Sequence, residues 1–425
     1  MKWRTKEDNW RVPILSWCED VDEGALKQAQ NLATHPVVFH HVALMPDCHL
    51  GYGMPIGGVI ACENAIVPNA VGVDIACGMI AVKTNIQVGG IDSRDIGAIL
   101  NDLKRRIPVG FHHHREDQDW NGFDDAPDIP IIQQELASAR KQLGTLGSGN
   151  HFLEVQSGDD NRIWLMLHSG SRNIGYKIAK TYNKMAMKLC GMWHSQLPPG
   201  NGEDSLAFLP IGSREAKEYI DAMKFAMRFA EASRQSMMEN FLKAFKYQTD
   251  GLPEQTININ HNFANLEHHF GRNVWVHRKG ATQARKGQLG IIPGSMGTSS
   301  YIVRGLGNPD SFESCSHGAG RASGRAEFCR THTVEECDES MEGIVFAGWG
   351  KNRKGRPDVS EAPKAYKDID EVIEAENDLV EVVVKLRPLG VMKGLTFREK
   401  ALDECIANIN HRKSRYARRH WFLYA

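Results

Sequence analysis

The order of apolar and polar positions predicts an irregular succession of strands and helices. Asp22 can cap a short helix near 24–33, and the run VVFHHVALMPDCHLG (37–51) reads as a buried strand ending in a polar turn that carries Asp47 and His49. Residues 66–84 read as two short strands around a VDIACG turn. Ile96, Ile99, Leu100, Leu103 and Ile107 share one helical face, which predicts a helix capped by Ser93 and running to Ile107. A further helix is expected near 131–143. GTLGSGNHFLEV (144–155) reads as a glycine-rich turn into a strand. RIWLMLHSGSRNIG (162–175) reads as a buried strand, a polar turn and the start of a helix to about Cys190. Ser213 can cap a long helix to about Tyr247, whose Tyr219, Met223, Met227, Ala230, Met237, Phe241 and Phe245 fall close to the helical period and read as core. A short strand over 343–349, a helix over 369–377 and a last strand over 379–391 complete the pattern. No repeat period is present, and no linker is long enough to separate domains. The fold class expected is α+β (mixed α/β), one large unit built on central sheets.

Composition narrows the function classes. A chain of 425 residues can bury a full core. With 51 basic against 52 acidic residues, any site for a polyanion has to be local. The N-terminus MKWRTKEDNW is charged with no apolar run behind it, and no stretch approaches the ~18 apolar residues of a membrane span. The nine cysteines are scattered without a CxxC, which fits a reducing, cytoplasmic setting and excludes a zinc ribbon. GYGMPIGG (51–58) runs into an apolar stretch rather than a helix, so it is not a dinucleotide fingerprint, and no GxxxxGK[ST] occurs.

The stretch from Asn258 to Gly320 carries the densest chemistry: HN at 261–262, RKG at 278–280, PGSM at 293–296 and CSHGAG at 315–320. Between Glu267 and Asp310 there is no acid, while Arg272, Arg278, Lys279, Arg285, Lys286 and Arg304 are cationic, a bias expected to attract phosphate. Small residues around Ser295 and His317 would let backbone N–H groups approach a ligand. His317 is then a candidate nucleophile or acid/base, though a satisfied histidine in a tight turn would read the same way. Four buried-looking strands end in a metal-type ligand within a glycine-rich or polar turn: VGVDIACG (Asp74, Cys77), GSGNHF (His151), WLMLHSGS (His168) and ININHN (His261). If those strands end at one sheet edge, a thiolate, a carboxylate and three imidazoles could hold Mn, Zn, Fe or Co, and a thiolate could bridge two ions. Separate core or turn residues are the alternative. Three adjacent histidines at 112–114 rarely share one tetrahedral site and read as a solvated loop.

The motifs MPDCHLG, VGVDIACGM, GTLGSGNHF, MLHSGSRNIG, INHN, RKGA, GIIPGSMG, RGLGN, SHGAGR and AYKDIDEV run in order from about residue 37 to Lys393-Gly394 and resemble the RtcB family of RNA-splicing ligases. The resemblance implies a catalytic domain over 1–394 with the family's own mixed architecture and a dinuclear metal site at strand ends. It implies a GTP- and Mn²⁺-dependent ligase, with two ions per chain, that joins an RNA 3′-phosphate or 2′,3′-cyclic phosphate to a 5′-OH. The family's nucleophile falls on His317, and its metal ligands fall on Asp74, Cys77 (bridging), His151, His168 and His261. Its guanylate contacts fall on Asn150, Glu154, Asn262, the PGSM turn (Pro293, Gly294, Ser295, Met296), Ser300, the HGAG turn (His317, Gly318, Gly320) and Lys393, with Phe152 and Tyr366 flanking the base. Asp47, Arg172, Lys279, Arg321 and Arg325 match residues that hold RNA ends or phosphates. A helix beginning at the HGAG turn would put Arg321 and Arg325 on one side.

Two departures stand out. Asn260 replaces the first histidine of the CHHN read in many members, while the ligand position His261 is kept. The chain also continues past Gly394, where family chains commonly end. In that extension, 395–425, Leu402, Ile406 and Ile409 are helically spaced, and HRKSRYARRHWF interleaves cations with aromatic rings, a composition suited to single-stranded RNA or to a solvated basic end. Two competing readings stay open at this point: a dinuclear metallohydrolase, which would not need His317 or Lys393, and a non-catalytic RNA-binding relic, which would be expected to lose ligands.

Overall fold

Local chemistry sets the helix boundaries. Asp22 accepts the Ala25 N–H (2.8 Å) at the start of helix Glu23–Thr34, and Ser213 accepts the Ala216 N–H (3.1 Å) at the start of the 36-residue helix Arg214–Thr249. At the helix Ser93–Arg106 the cap is Asp92, not Ser93. Its carboxylate accepts the N–H groups of Arg94 and Asp95, and Asp95 accepts the Asp92 N–H in return. A carboxylate one residue upstream makes this reciprocal box, and Ser93 becomes the first helical residue. The computed structural model describes residues 1–200, 202–351 and 355–394.

Two large sheets and three two-stranded pairs make up the β-structure of the described residues. The six-stranded sheet has the order Trp3–Thr5, Ile14–Ser16, Val38–His49, Ile56–Cys62, Arg272–Lys279, Asn262–His269. The eight-stranded sheet runs Pro253–Asn260, Gly78–Thr84, Ile163–Ser169, Phe152–Gly158, Val380–Lys393, Ser300–Gly305, Leu289–Ile292, and Val345–Phe346 adds a short parallel strand against Val380–Lys393. The expected mixed α/β class is the one observed, with sheets at the centre.

The long helix and Ser93–Arg106 cover one face of the eight-stranded sheet. Met237, Phe241 and Phe245 pack there with Ile99, Leu100, Leu103, Val82 and Leu165, so the methionine-rich stripe is core. Its N-terminal half packs with the helices Pro130–Gln142 and Arg172–Met192 through Tyr219, Phe225, Phe229 and Tyr182. A third core joins the sheets, with Met45, Val59 and Val276 of the smaller one against Ile292, Tyr301 and Val303 of the larger.

One of the chain's crossings between the two large sheets takes a single residue. Strand Pro253–Asn260 pairs with Gly78–Thr84 in the larger sheet, and Asn262–His269 pairs with Arg272–Lys279 in the smaller. His261 is the residue between them. Farther on, Ala281–Gln283 pairs with Ser314–Ser316, which ends directly before His317. The central stretch is therefore the strap that ties the two sheets together.

Candidate active site

Four neighbouring strands of the larger sheet bring the metal-type residues to one end. Cys77 and His151 come just before their strands, His168 lies near the end of its strand and His261 just after its own. The strands are antiparallel, so the start of one lies beside the end of the next, as the pairs Met79↔His168, Phe152↔His168 and Asn260↔Gly78 record. Sequence alone suggests four strands that each end in a ligand; two of them begin with one, and convergence results all the same.

The donor atoms face each other. Cys77 Sγ lies 3.2 Å from His168 Nε2 and 3.5 Å from His151 Nε2, and His168 Nε2 lies 3.3 Å from His261 Nε2. Asp74, half-buried, places a carboxylate oxygen 3.3 Å from His151 Nε2. The Leu146 carbonyl accepts from His151 Nδ1 (2.8 Å) and the Asn150 carbonyl from His168 Nδ1 (3.2 Å). Those bonds put the protons on Nδ1 and leave Nε2 lone pairs pointing inward, as metal-ligating histidines require. Burial holds His168 and His261 well below the ordinary imidazole range, so both rings are neutral. His261 Nδ1 is buried with no hydrogen-bond partner among the described residues. Burial, and next the Asp74 carboxylate, pushes the Cys77 thiol up. Imidazole lone pairs turned inward around a sulfur, beside a carboxylate, fit a borderline divalent cation.

Two non-glycine residues with left-handed backbone flank the cluster. Ala76 adopts φ +59° in the turn between Asp74 and Cys77, and Arg172 adopts φ +58° at the start of its helix. The turn is pinned by Ala76 N–H to the Asn262 carbonyl (2.6 Å) and His261 N–H to the Cys77 carbonyl (2.8 Å). Below it, fully buried Arg234 donates to the carbonyls of Ala76 (2.9 Å) and Ser169 (3.1 Å) and to the side chains of Asn258 and Asn260. Asn260, the departure from the CHHN pattern, is thus the acceptor of a buried arginine. Arg234 was legible only as an anomaly, a charge on the apolar face between Ala230 and Met237.

The imidazole row continues from His261 to His317, whose ring centroids are 4.8 Å apart. Asp47 is fully buried, and its Oδ2 accepts both the backbone N–H of His317 (3.1 Å) and Nδ1–H (2.5 Å). His317 Nε2 has no protein partner among the described residues. Gly320 follows with φ +73°, and a Cβ there would lie 2.3 Å from the Asp47 carbonyl oxygen. Only glycine lets the two segments close on each other.

A cavity of about 270 Å³ opens beside His317. It brings together Asn150, Phe152, Pro293, Gly294, Ser295, Met296, Gly318, Gly320, Arg321, Arg325, Tyr366 and Lys393 with His168 of the metal-type cluster. Three expected nucleotide residues do not line it. Glu154 and Ser300 are buried and linked through Gln156 (2.6 and 3.3 Å), and burial pushes the Glu154 carboxyl up to about 8. Asn262 spends its amide on the Asp74 carbonyl (3.0 Å) and the Gly280 N–H (2.7 Å).

Of the five expected RNA contacts, Arg321 and Arg325 reach this cavity. Asp47 is committed to His317. Arg172 is partly buried and donates to Thr145 Oγ1 (3.3 Å) and the Gly110 carbonyl (3.5 Å). Lys279 is buried and donates to the carbonyls of Tyr52 (2.5 Å) and Asn69 (3.1 Å), with burial bringing its ammonium down to about 7.

Two readings need correction. The helix at 325–331 begins at Arg325, not at the HGAG turn. The Ala319 and Ala322 N–H groups go to the carbonyls of Pro293 and Ala365, and Arg321 bridges to Tyr366, so the turn cannot wind. The cation-rich stretch 268–309 is not an anion surface as a whole. Arg272, Arg278, Arg285 and Arg304 meet Glu63, Glu267, Glu313 and Glu381. The further cluster Glu267, His269 and Glu313 is likewise neutralised, because Arg278 forks onto Glu267 at 2.6 and 3.0 Å.

A family model described as tRNA-splicing ligase RtcB matches residues 28–128 and 122–394. The RNA-splicing ligase RtcB of Escherichia coli (strain K12) is 38% identical over 413 residues, spanning 90% of this chain and 98% of the relative. The tRNA-splicing ligase RtcB of Pyrobaculum aerophilum is 32% identical over 474 residues, spanning 90% and 95%. The RNA-splicing ligase RtcB of Mycobacterium tuberculosis is 32% identical over 445 residues, spanning 86% and 100%.

Proposed function

The chain belongs to the RtcB family and is an RNA ligase, and we propose that it joins an RNA 3′-phosphate or 2′,3′-cyclic phosphate end to a 5′-OH end through a guanylated His317, with GTP and Mn²⁺. The observation that carries this reading is the pairing of His317 with Asp47: Nδ1–H on a buried carboxylate leaves the Nε2 lone pair unpartnered, on a residue that lines the cavity. Asp47 is then an orienting group for the nucleophile rather than an RNA contact.

Asp74, Cys77, His151, His168 and His261 would hold two Mn²⁺ ions, which would neutralise phosphate charge near His317. Water opens the cyclic phosphate to a 3′-phosphate. His317 Nε2 attacks the α-phosphorus of GTP, forming an N–P bond as the bond to the β-phosphate breaks and pyrophosphate leaves. Asp47 stabilises the charge that develops on the imidazole. An oxygen of the RNA 3′-phosphate attacks the same phosphorus, forming a P–O–P bond and releasing His317. The 5′-OH then attacks the RNA phosphorus, its proton is lost to solvent, and GMP leaves. Phe152 and Tyr366 offer ring faces to the base, and Arg325 and Lys393 offer cations to phosphates. The scattered cysteines support a cytoplasmic setting, and no helix among the described residues is long and apolar enough to cross a membrane.

Ligation of short RNAs with defined ends tests the reading. Product should form from a 3′-phosphate or cyclic phosphate with a 5′-OH, and only with GTP and Mn²⁺. Product from 3′-OH and 5′-phosphate ends instead would contradict it.

A further inference from the structure

Glu361 lies in no helix or strand, and nothing in the motifs singles it out, yet it meets four groups of the site. Oε1 accepts from Arg325 Nε (2.9 Å) and Arg321 Nη1 (3.3 Å). Oε2 accepts from Lys393 Nζ (3.1 Å) and from the Tyr366 hydroxyl. Burial alone would raise this carboxyl, but Lys393, Arg325, Tyr366 and Arg321 together hold it far below the carboxylate range. The carboxylate is therefore ionised and answers three cations with one charge, which leaves an excess of positive charge at the cavity wall.

The donors these cations keep differ. Arg321 is spent inside the protein: Nε donates to the Ser323 carbonyl (3.0 Å) and Nη2 to the Ser360 carbonyl (2.8 Å), and its guanidinium lies 5.1 Å from the Tyr366 ring centroid. Arg325 is 53% exposed and uses Nε alone among the described residues, so both terminal nitrogens remain available. Lys393 also has one hydrogen bond there, on Glu361. Arg325 and Lys393 line the nucleotide cavity, and both also line a second cavity of about 270 Å³ that holds Phe346 and Trp349. A long, exposed arginine loses much entropy on fixing its fork, and a carboxylate anchoring Nε removes that cost before the ligand arrives.

We propose that Glu361 is a positioning residue, which presents the free donors of Arg325 and Lys393 to phosphate and so gives the protein its preference for an RNA end that carries a 3′-phosphate. The proposal rests on the ligase reading above. The test measures binding without reaction: full-length protein with Mn²⁺ and no GTP is titrated against one labelled oligoribonucleotide bearing a 3′-phosphate or a 3′-OH. Wild type should prefer the 3′-phosphate, and Glu361→Gln, which keeps size but loses charge, should lose that preference by about tenfold with its melting temperature near wild type. Glu361→Asp keeps the charge but withdraws it by one methylene, and should fall between the two. In parallel, self-guanylation by Glu361→Gln should show a raised KM for GTP with a smaller change in kcat. An undiminished preference in Glu361→Gln, or a wild-type preference in Glu361→Asp, overturns the positioning role. So does a uniform loss of active protein with KM unchanged, which is what a merely structural residue would give. A wild type that ignores the 3′-phosphate would instead remove the proposed 3′-phosphate end chemistry beneath it.

Discussion

At the scale of single residues, the candidate ligands were legible and their partnership was not. Cys77, His151, His168 and His261 each sit beside an apolar run in a turn of small or polar residues, so strand and turn chemistry marked them. Asp47 was marked by the same strand-and-turn pattern, but its role beside His317 was hidden, because the two are 270 positions apart and only the fold joins them. Glu361 was silent for the same reason: its four partners come from three separate stretches of chain. Cys77 Sγ lies within 3.5 Å of both His151 and His168 Nε2, so Cys77→Ala should lose metal and activity together. Elemental analysis should fall from about two ions per chain to none, and ligation should drop on the order of a thousandfold or more, the several kcal/mol that metal catalysis supplies. Two ions retained with a near-normal rate would refute Cys77 as a ligand.

At the scale of elements, periodicity carried the reading for helices and for the strands that hold the site. It missed the N-terminal strands and the hairpin of the smaller sheet, where Asn262–His269 reads as polar because one face is exposed. Local charge misled for a related reason: the 268–309 stretch lacks acids in sequence but borrows them from neighbouring strands. The turn that carries His317 is itself fixed from a distant element. Glu376, fully buried after the helix Ile369–Ala375, accepts the N–H (2.8 Å) and the hydroxyl of Ser316. Burial pushes its carboxyl from 4.5 up to about 8. Between those values the folded protein keeps a proton that the unfolded chain has lost, so this group lowers stability as pH rises through the window. Glu376→Gln removes the titration. Its melting temperature relative to wild type should climb as pH rises from 4.5 to about 8 and level off above that; a difference independent of pH would contradict the assignment.

At the scale of the whole molecule, the site exists because one chain segment ties two sheets. His261 stands at a crossing and His317 at the end of the strap, so the proposed nucleophile and the proposed metal ligands are set by the same joint. The family match ends at residue 394, and residues 395–425, with the expected helix and basic run, lie outside the described residues. If that extension adds RNA affinity alone, truncation after Gly394 should spare guanylation and weaken RNA binding in a salt-dependent way. The plot of log affinity against log salt should become shallower by roughly 0.7 for each phosphate the extension neutralises on a single strand. Equal binding and joining across a salt series would refute the RNA role. The central claim is that His317 carries the nucleotide covalently, and one measurement reaches it directly. Incubated with Mn²⁺ and α-labelled GTP and then denatured, the wild-type protein should retain label, and His317→Ala should retain none while still binding its metals. Label held by His317→Ala at the wild-type level would contradict the account.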